Sequence, residues 1–282
     1  IHKKHFKTTD FQLASLMSIK TGSCPEDCKY CPQSAHFNVN LKKEKLVEVS
    51  KVKKAAELAK KNGADRVCMG AAWKKLPKGK DFNKVIEMIR TVKSLELEAC
   101  VTLGSITETQ AKELKKAGLD AYNHNIDTSP EFYKEIISTR SFDERLDTIK
   151  NVRKAGISVC CGGIIGMGET WDDRAKMLEV LANLDPFPES VPINALVPTK
   201  GTPLENKEPI KPFDMVRMIA VTRIIMPTTR VRLSAGRKEL SPETQMLCFL
   251  AGANSIFYGD VLLTTANNEM VEDKKLIAEF SG

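Results

Sequence analysis

Three cysteines fall within the short stretch "SIKTGSCPEDCKYCPQS": Cys24, Cys28 and Cys31, spaced C-x3-C-x2-C. Thiolates are metal ligands, and a closed tetrahedral site needs four donors. Three donors imply either a fourth elsewhere or a coordination position left open. His36 follows closely enough to complete a Cys3His zinc set. The other reading is a 4Fe–4S cluster held by three thiolates, with one iron free for a further ligand. An open iron on a loop serves chemistry rather than simple electron carriage.

The remaining cysteines are Cys68, Cys100, Cys160, Cys161 and Cys248. In a chain of 282 residues that shows no basic-then-apolar leader, eight cysteines point to metal or redox chemistry rather than to a disulfide framework. That places the chain in a reducing compartment, the cytoplasm. The sequence opens at Ile1, so its numbering is expected to begin inside a longer gene product. No run of about 18 apolar residues occurs, so no membrane-spanning helix is expected. The net charge of +7 comes mostly from lysines in stretches such as "KVKKAAELAKK" and "AKELKKAG", where they alternate with acidic residues. Aromatic residues do not interleave with them, so they read as solvated helix faces and not as a nucleic-acid groove.

These residues must be positioned by something. Short apolar or β-branched runs read as strands at 17–22, 66–71, 98–103, 121–127, 157–165, 191–197, 230–235 and 254–258. Between them, helical periodicity covers 48–62, 82–95, 107–117, 142–155, 172–184, 212–225 and 241–250. Several helices end in a glycine cap, as in "KKNGAD", "KKAGLD" and "RKAGIS". Strands alternating with helices imply parallel βαβ units, and eight of them imply an α/β fold closed as a (β/α)8 TIM-type barrel. The expectation is one domain over 1–282, with 1–16 and 266–282 as extensions. The Pro-rich run 185–213 reads as loops around one strand.

In such barrels the chemistry sits at the C-terminal mouth. The cysteine triplet follows the first expected strand. Cys68, Cys100, Cys160 and Cys161 fall on the second, third and fifth, and Arg232 on the seventh. Asn123, Asn125 and Asp127 alternate along the fourth and so share one face. Polar groups buried without partners cost about 2–7 kcal/mol each, so a set of them on parallel strands must meet a ligand, a metal or each other. His124 points away from that face and reads as a structural histidine, and Cys248 as packing.

The C-x3-C-x2-C spacing, with Tyr30 before its last cysteine, resembles the signature of the radical S-adenosylmethionine enzymes. "GGIIGMGE" (Gly162, Ile164, Gly166, Glu169) resembles the motif those enzymes use beside the adenine. The resemblance implies a 4Fe–4S cluster whose open iron takes the amino and carboxylate groups of S-adenosylmethionine. It also implies reductive cleavage to methionine and a 5′-deoxyadenosyl radical. The segments "CMGAAW", "EACVTLG", "YNHNIDTSPEFY", "ESVPINALV", "VRLSAG" and "AGANSIFYGD" narrow the match. With the cysteine stretch they resemble the biotin synthase family over about residues 6–270. That family inserts sulfur into dethiobiotin at unactivated carbons, which ordinary acid–base catalysis cannot reach.

The resemblance implies an auxiliary 2Fe–2S cluster, a sulfur donor, on Cys68, Cys100, Cys160 and Arg232. Cys161 stands where the family often has serine and is a possible further ligand if the strand bulges. For S-adenosylmethionine the resemblance implies Tyr30, Ala72, Asn125, Asp127, Arg145, Ile164 and Val197. Asn125 and Asp127 would hold the ribose, Arg145 the methionine carboxylate, and Ile164 and Val197 the adenine. For dethiobiotin it implies Asn123, Asn125 and Asn194 at the ureido ring and Thr264 and Thr265 near the tail carboxylate. The plainer readings are a strand-end cap for Asn125 and Asp127, a surface ion pair for Arg145, core for Ile164 and Val197, and a polar loop end for the threonines. The implied partners are a flavodoxin- or ferredoxin-type electron donor, an iron–sulfur assembly system and a second copy of the chain in a homodimer. A related radical enzyme with another small substrate, or a non-catalytic iron–sulfur or zinc protein, are the alternatives.

Overall fold

A computed structural model describes residues 1–7, 10–259 and 262–281. Its strands are β1 (Gln12–Lys20), β2 (Arg66–Ala71), β3 (Glu98–Thr102), β4 (Ala121–Asn123), β5 (Ser158–Cys160), β6 (Gly163–Ile165), β7 (Ser190–Ala195), β8 (Arg230–Leu233) and β9 (Ser255–Phe257). Every ladder is parallel: β1 pairs with β2 and β9, and pairing then runs β2–β3–β4–β5 on one side and β9–β8–β7–β6 on the other. Cys160 pairs with Ser190 and closes the circle. β5 and β6 are two halves of one strand position, so the barrel has eight. The expected α/β TIM-type barrel is the fold found.

Helices α1 (His2–His5), α2 (Val49–Lys61), α3 (Lys80–Ser94), α4 (Glu108–Lys116), α5 (Pro130–Ile136), α6 (Phe142–Lys154), α7 (Trp171–Ala182), α8 (Pro212–Ile225), α9 (Pro242–Ala251) and α10 (Met270–Ser281) complete the chain. Local chemistry sets their starts. Thr107, Ser141 and Thr170 each form a two-way capping box with the third helical residue of α4, α6 and α7. Prolines stand at the first turn of α5, α8 and α9, where the missing N–H costs nothing. The apolar stripes of α2 and α3 (Val52, Ala56, Val85, Ile89) pack with the outward faces of the strands (Val67, Met69, Val101) in one continuous core.

Three boundaries depart from the sequence reading. β1 begins at Gln12, inside the expected 1–16 extension. The expected 121–127 strand stops at Asn123, and 157–165 breaks at Cys161–Gly162. A side chain on Gly162 would put its Cβ 1.9 Å from the Pro192 carbonyl oxygen, so β7 crosses too close for any other residue there. The C-terminal tail carries α10, which is tied to the barrel by an Arg237–Asp273 ion pair at 2.5 Å, both side chains 1 % exposed. Arg237 also donates to Gln245 Oε1 and to the Phe257 carbonyl. Asp273→Ala leaves that guanidinium buried without its countercharge. The variant is expected to lose about 3–5 kcal/mol of stability, read as a lowered midpoint in urea unfolding.

Candidate active site

A cavity of about 350 Å³ runs from the cysteine loop at the barrel mouth down to Cys68, Cys100 and Arg232. The loop leaves β1 through Gly22 (φ +74°) and Ser23 (φ +55°), left-handed positions that turn the chain back over the strand ends. Its base is closed by Cys24 N–H to Gln33 O (2.9 Å) and Ala35 N–H to Cys24 O (2.7 Å), and Cys31 N–H donates to Cys28 O (2.9 Å). The segment 136–140 then pins it. Asp27 accepts from Ser138 N (2.9 Å) and Thr139 N (3.1 Å), and Thr139 Oγ1 donates to Glu26 Oε2 at 2.6 Å. Arg140 pairs with the buried Glu26 at 3.1 Å. Partial burial opposes ionisation of Asp27, but the Ser138 and Thr139 hydrogen bonds outweigh it and hold the carboxyl well below the usual range.

Burial pushes all three thiols up, Cys31 to about 11, so taking them as thiolates would release protons. The zinc reading finds no support in this arrangement. His36 Nε2 faces the Pro25 carbonyl at 3.1 Å. Among the described residues no three His, Cys, Asp or Glu side chains are gathered as a single ion needs. A cubane cluster spaces its ligand sulfurs more widely than one ion does.

Beyond Asn123 the chain leaves the ladder. His124 N–H donates to Cys160 O, and the amides of Ile126 and Asp127 both reach Gly162 O. Asp127 is left-handed (φ +69°). Asn125 Oδ1 accepts from Gly162 N (3.1 Å) and Asn123 Nδ2 (3.2 Å). Arg145, on α6, pairs with Asp127 at 2.6 Å and donates to Tyr133 Oη (2.9 Å) and Asn125 O (3.1 Å). Burial raises the Asp127 carboxyl, opposed by the Arg145 guanidinium and a hydrogen bond from Tyr30. The residues expected at the ribose and at the methionine carboxylate thus touch one another. Ala72, Ile164 and Val197 line the same cavity, as do Asn194, Thr264 and Thr265. Asn194 already spends one N–H on Gly163 O (2.9 Å) and accepts from Ala235 N (3.2 Å).

Glu169 of the glycine motif does not line the cavity. Its carboxylate accepts from the amides of Gly166, Met167 and Gly168 and from Arg174 Nε, so it holds the loop's shape. His124 is buried, with Nε2 unpartnered among the described residues. Burial, then the nearby Arg145 and Arg140, hold its pKa well below 6.5. A folded value below the unfolded one gives stability that is present above pH 6.5 and lost as pH falls. Unfolding should therefore be easier from pH 6.5 downward by up to about 1.4 kcal/mol per pH unit from this group. His124→Gln is expected to remove that slope component, measured as urea midpoints between pH 7.5 and 5.

Deeper in the barrel, Cys68 and Cys100 are register partners, and Asn123 pairs with Cys160. Asn123 Nδ2 reaches Cys160 Sγ at 3.2 Å, and Arg232 Nη1 lies 3.9 Å from the same sulfur. Arg232 is fully buried over the Phe257 ring and donates to Ser255 Oγ and Gln12 Oε1, both at 2.9 Å. A hydrogen bond from Cys100, with Arg232 and Arg66 nearby, holds Cys68 down to about 7 against burial, while Cys100 is pushed up. Cys161 is not brought to this group. It faces the opposite way, into the layer between strands and helices. Cys248 is buried packing in α9.

Sequence reasoning missed Glu26, Arg140, Asp27 and Tyr133, which brace the loop and Arg145. Their partners lie more than a hundred residues away for the first three, and no spacing signals that.

Two family models match the chain: the radical SAM superfamily over residues 18–181, and the biotin and thiamin synthesis associated domain over 192–280. The biotin synthase of Methylorubrum extorquens (strain PA1) is 62% identical over 281 residues, 99% of this chain and 84% of that one. The biotin synthase of Marinobacter nauticus is 59% identical over 280 residues, 99% of this chain and 79% of that one. Among solved structures, methylornithine synthase (PylB) superposes with a TM-score of 0.79 at 19% identity, covering 96% of this chain and 82% of that one. The FeFe-hydrogenase maturase HydG from Carboxydothermus hydrogenoformans gives 0.80 at 17% identity, covering 96% and 66%. At those identities the superpositions speak for the fold alone.

Proposed function

The chain belongs to the biotin synthase family of radical S-adenosylmethionine enzymes, and we propose that its barrel cavity seats S-adenosylmethionine and dethiobiotin between two iron–sulfur sites. The observation that carries this reading is the cavity itself, which opens both on the cysteine triplet and on the deeper Cys68, Cys100 and Arg232. The donor set fits. Three thiols on one braced loop offer three ligands and leave a fourth position open. Three more thiols and a buried guanidinium stand on separate strands below. When bound, a 4Fe–4S cluster supplies the electron that cleaves S-adenosylmethionine to methionine and a 5′-deoxyadenosyl radical, and an auxiliary 2Fe–2S cluster supplies sulfur.

The chain's own residues bind, orient and exclude water. Cys24, Cys28 and Cys31 hold the first site. Cys68, Cys100, Cys160 and Arg232 hold the second, without Cys161. Asn125 and Asp127 accept the ribose hydroxyls, which suits an amide and a carboxylate facing a vicinal diol. Arg145 shares its charge between Asp127 and the methionine carboxylate, and the Ala72 backbone borders that group. Tyr30 closes over Asp127, and Ile164 and Val197 flank the adenine. Asn123, with Asn125 and the remaining capacity of Asn194, offers donors and acceptors to the ureido ring. Thr264 and Thr265 meet the tail carboxylate. The apolar walls keep water from a reactive radical.

The reading extends to a flavodoxin- or ferredoxin-type reductant, an iron–sulfur assembly system, a homodimer and the cytoplasm. All eight cysteines are free thiols, which suits a reducing compartment. No helix among the described residues is long and apolar enough to cross a membrane. The test is a strictly anaerobic reaction of reconstituted protein with S-adenosylmethionine, dethiobiotin and a strong reductant, read by mass spectrometry. Biotin with 5′-deoxyadenosine is the expected result. Deoxyadenosine without biotin overturns the substrate or the second site. Neither product, from protein whose first site is full, overturns the catalytic reading.

A further inference from the structure

The floor of this barrel is polar, where barrel interiors are ordinarily filled by layers of bulky apolar side chains. Arg66 and Glu98 lie beneath Cys68 and Cys100, two residues nearer the strand starts and on the same face. Register brings Gln12 beside Ser255, and Ser190 beside Cys160. Glu98 Oε2 accepts from Arg66 Nε at 2.8 Å and from Gln12 Nε2 at 3.1 Å, and Gln12 Oε1 accepts from Arg232.

Two features of this floor are unusual. The Glu98 side chain is 45 % exposed, while the Arg66 side chain it holds is 9 % exposed. Arg66 in turn lies close enough to Cys100, Cys68 and Cys160 for their fields to act on it. The layer between bulk water and the deep thiols is thus a hydrogen-bonded set of Arg66, Glu98, Gln12 and Arg232, in which Glu98 is the member open to solvent. Second, the Ser190 hydroxyl is 2 % exposed yet has no partner among the described residues, so the floor carries polar capacity that the fold itself does not use. Toward the thiols the floor presents two guanidiniums, Arg66 and Arg232, against one carboxylate, Glu98. At the strand starts around it, Arg230 pairs with Asp10, Lys93 with Asp120 and Arg153 with Glu189, while the Asp65 carboxylate accepts from Leu13 N.

We propose that the Arg66–Glu98 pair gates an entry through the barrel floor, by which inorganic sulfide, as the hydrosulfide anion, reaches Cys68, Cys100 and Cys160 when that site is rebuilt. The inference rests on the auxiliary-site reading given above. The other way in is the mouth, which S-adenosylmethionine and dethiobiotin fill in that reading. Glu98, the exposed partner, can swing out into water, and the anion that takes its place supplies the countercharge that the buried Arg66 needs. The surplus positive charge inside draws an anion through, past the Ser190 hydroxyl.

The test uses protein with its first site loaded and its auxiliary site emptied, given ferric ion without air before any mouth ligand is added, and sodium sulfide last. Recovery of the auxiliary absorption band is followed with and without saturating S-adenosylmethionine and dethiobiotin. The rate should be the same in both cases. Arg66→Gln should slow recovery about tenfold at low salt, the lower end of electrostatic steering, and the gap should close at high salt. Ser190→Leu, which plugs the floor without changing its charge, should slow recovery at both salt concentrations. Mouth ligands that stop recovery in the unaltered protein, which needs no variant to fold, would overturn the floor route. So would variants that keep the unaltered rate and salt dependence. A protein that never regains the second band while its first site is full fails the auxiliary-site reading instead, and the inference with it.

Discussion

Cys28→Ala is expected to abolish 5′-deoxyadenosine and biotin together. Cys28 is the deepest of the three loop thiols and packs in a small cluster with Tyr133, Ile136 and Met167. Its loss leaves two thiols for a site already one ligand short of closure, and two do not hold a cluster with a defined open position. The fold should survive, because the loop's shape rests on groups the substitution leaves alone: the Cys24–Gln33 and Cys24–Ala35 backbone bonds, the Asp27 carboxylate and the Glu26–Arg140 pair. Activity should therefore fall on the order of 10⁶-fold or more, the lower end of enzymic rate enhancements, with little change in unfolding midpoint. The measurement is product formation by mass spectrometry beside iron content. The auxiliary absorption should persist, since Cys68, Cys100 and Cys160 stand on other strands. Deoxyadenosine formed at the unaltered rate would remove the triplet from the reaction.

Much of this arrangement was legible in the sequence, for reasons that differ from residue to residue. The 66–71 strand was plain because "RVCMGA" is flanked by a glycine-capped helix end, and a strand buried on both faces has few polar interruptions. The apolar run 17–22 marks only the second half of β1, which starts five residues earlier. Its inward face mixes polar with apolar residues because Gln12 belongs to the polar floor, Ala14 packs with Cys68 and Cys100, and Leu16 lines the cavity. The apolar pattern of 157–165 is continuous, although the strand is not. The break comes from a neighbour, the Pro192 carbonyl against Gly162, which local pattern does not record. The charges of "EMVEDKKLIAEFS" give α10 the look of a tail, yet Leu276, Ile277 and Phe280 seat it against the core. The cysteine spacing points to a metal loop, the reading proposed above. The bracing of that loop by Thr139 and Arg140, more than a hundred positions on, is set by the fold and leaves no mark in spacing.

Cys100→Ala should separate the two halves of the reaction. Cys100 is fully buried, level with Cys68 on β2 and Ala121 on β4, and packs with both in one small cluster. Removing it takes one donor from the deep set and leaves the mouth untouched, because Tyr30, Asp127 and Arg145 draw on the cysteine loop, α5 and α6 and not on β3. Deoxyadenosine should still form, now uncoupled from product. Biotin should fall by at least about 10²-fold, the upper reach of what the loss of even an outer partner costs a metal site. The contrast is Cys161→Ala. That thiol faces the helix layer, so its loss is a small core deletion costing about 1–2 kcal/mol in stability, and the product ratio should hold. Equal behaviour of the two variants would mean that the strand break at Gly162 does not sort these neighbouring thiols by face. A Cys100→Ala protein making biotin at the unaltered rate would place the source of sulfur outside the barrel.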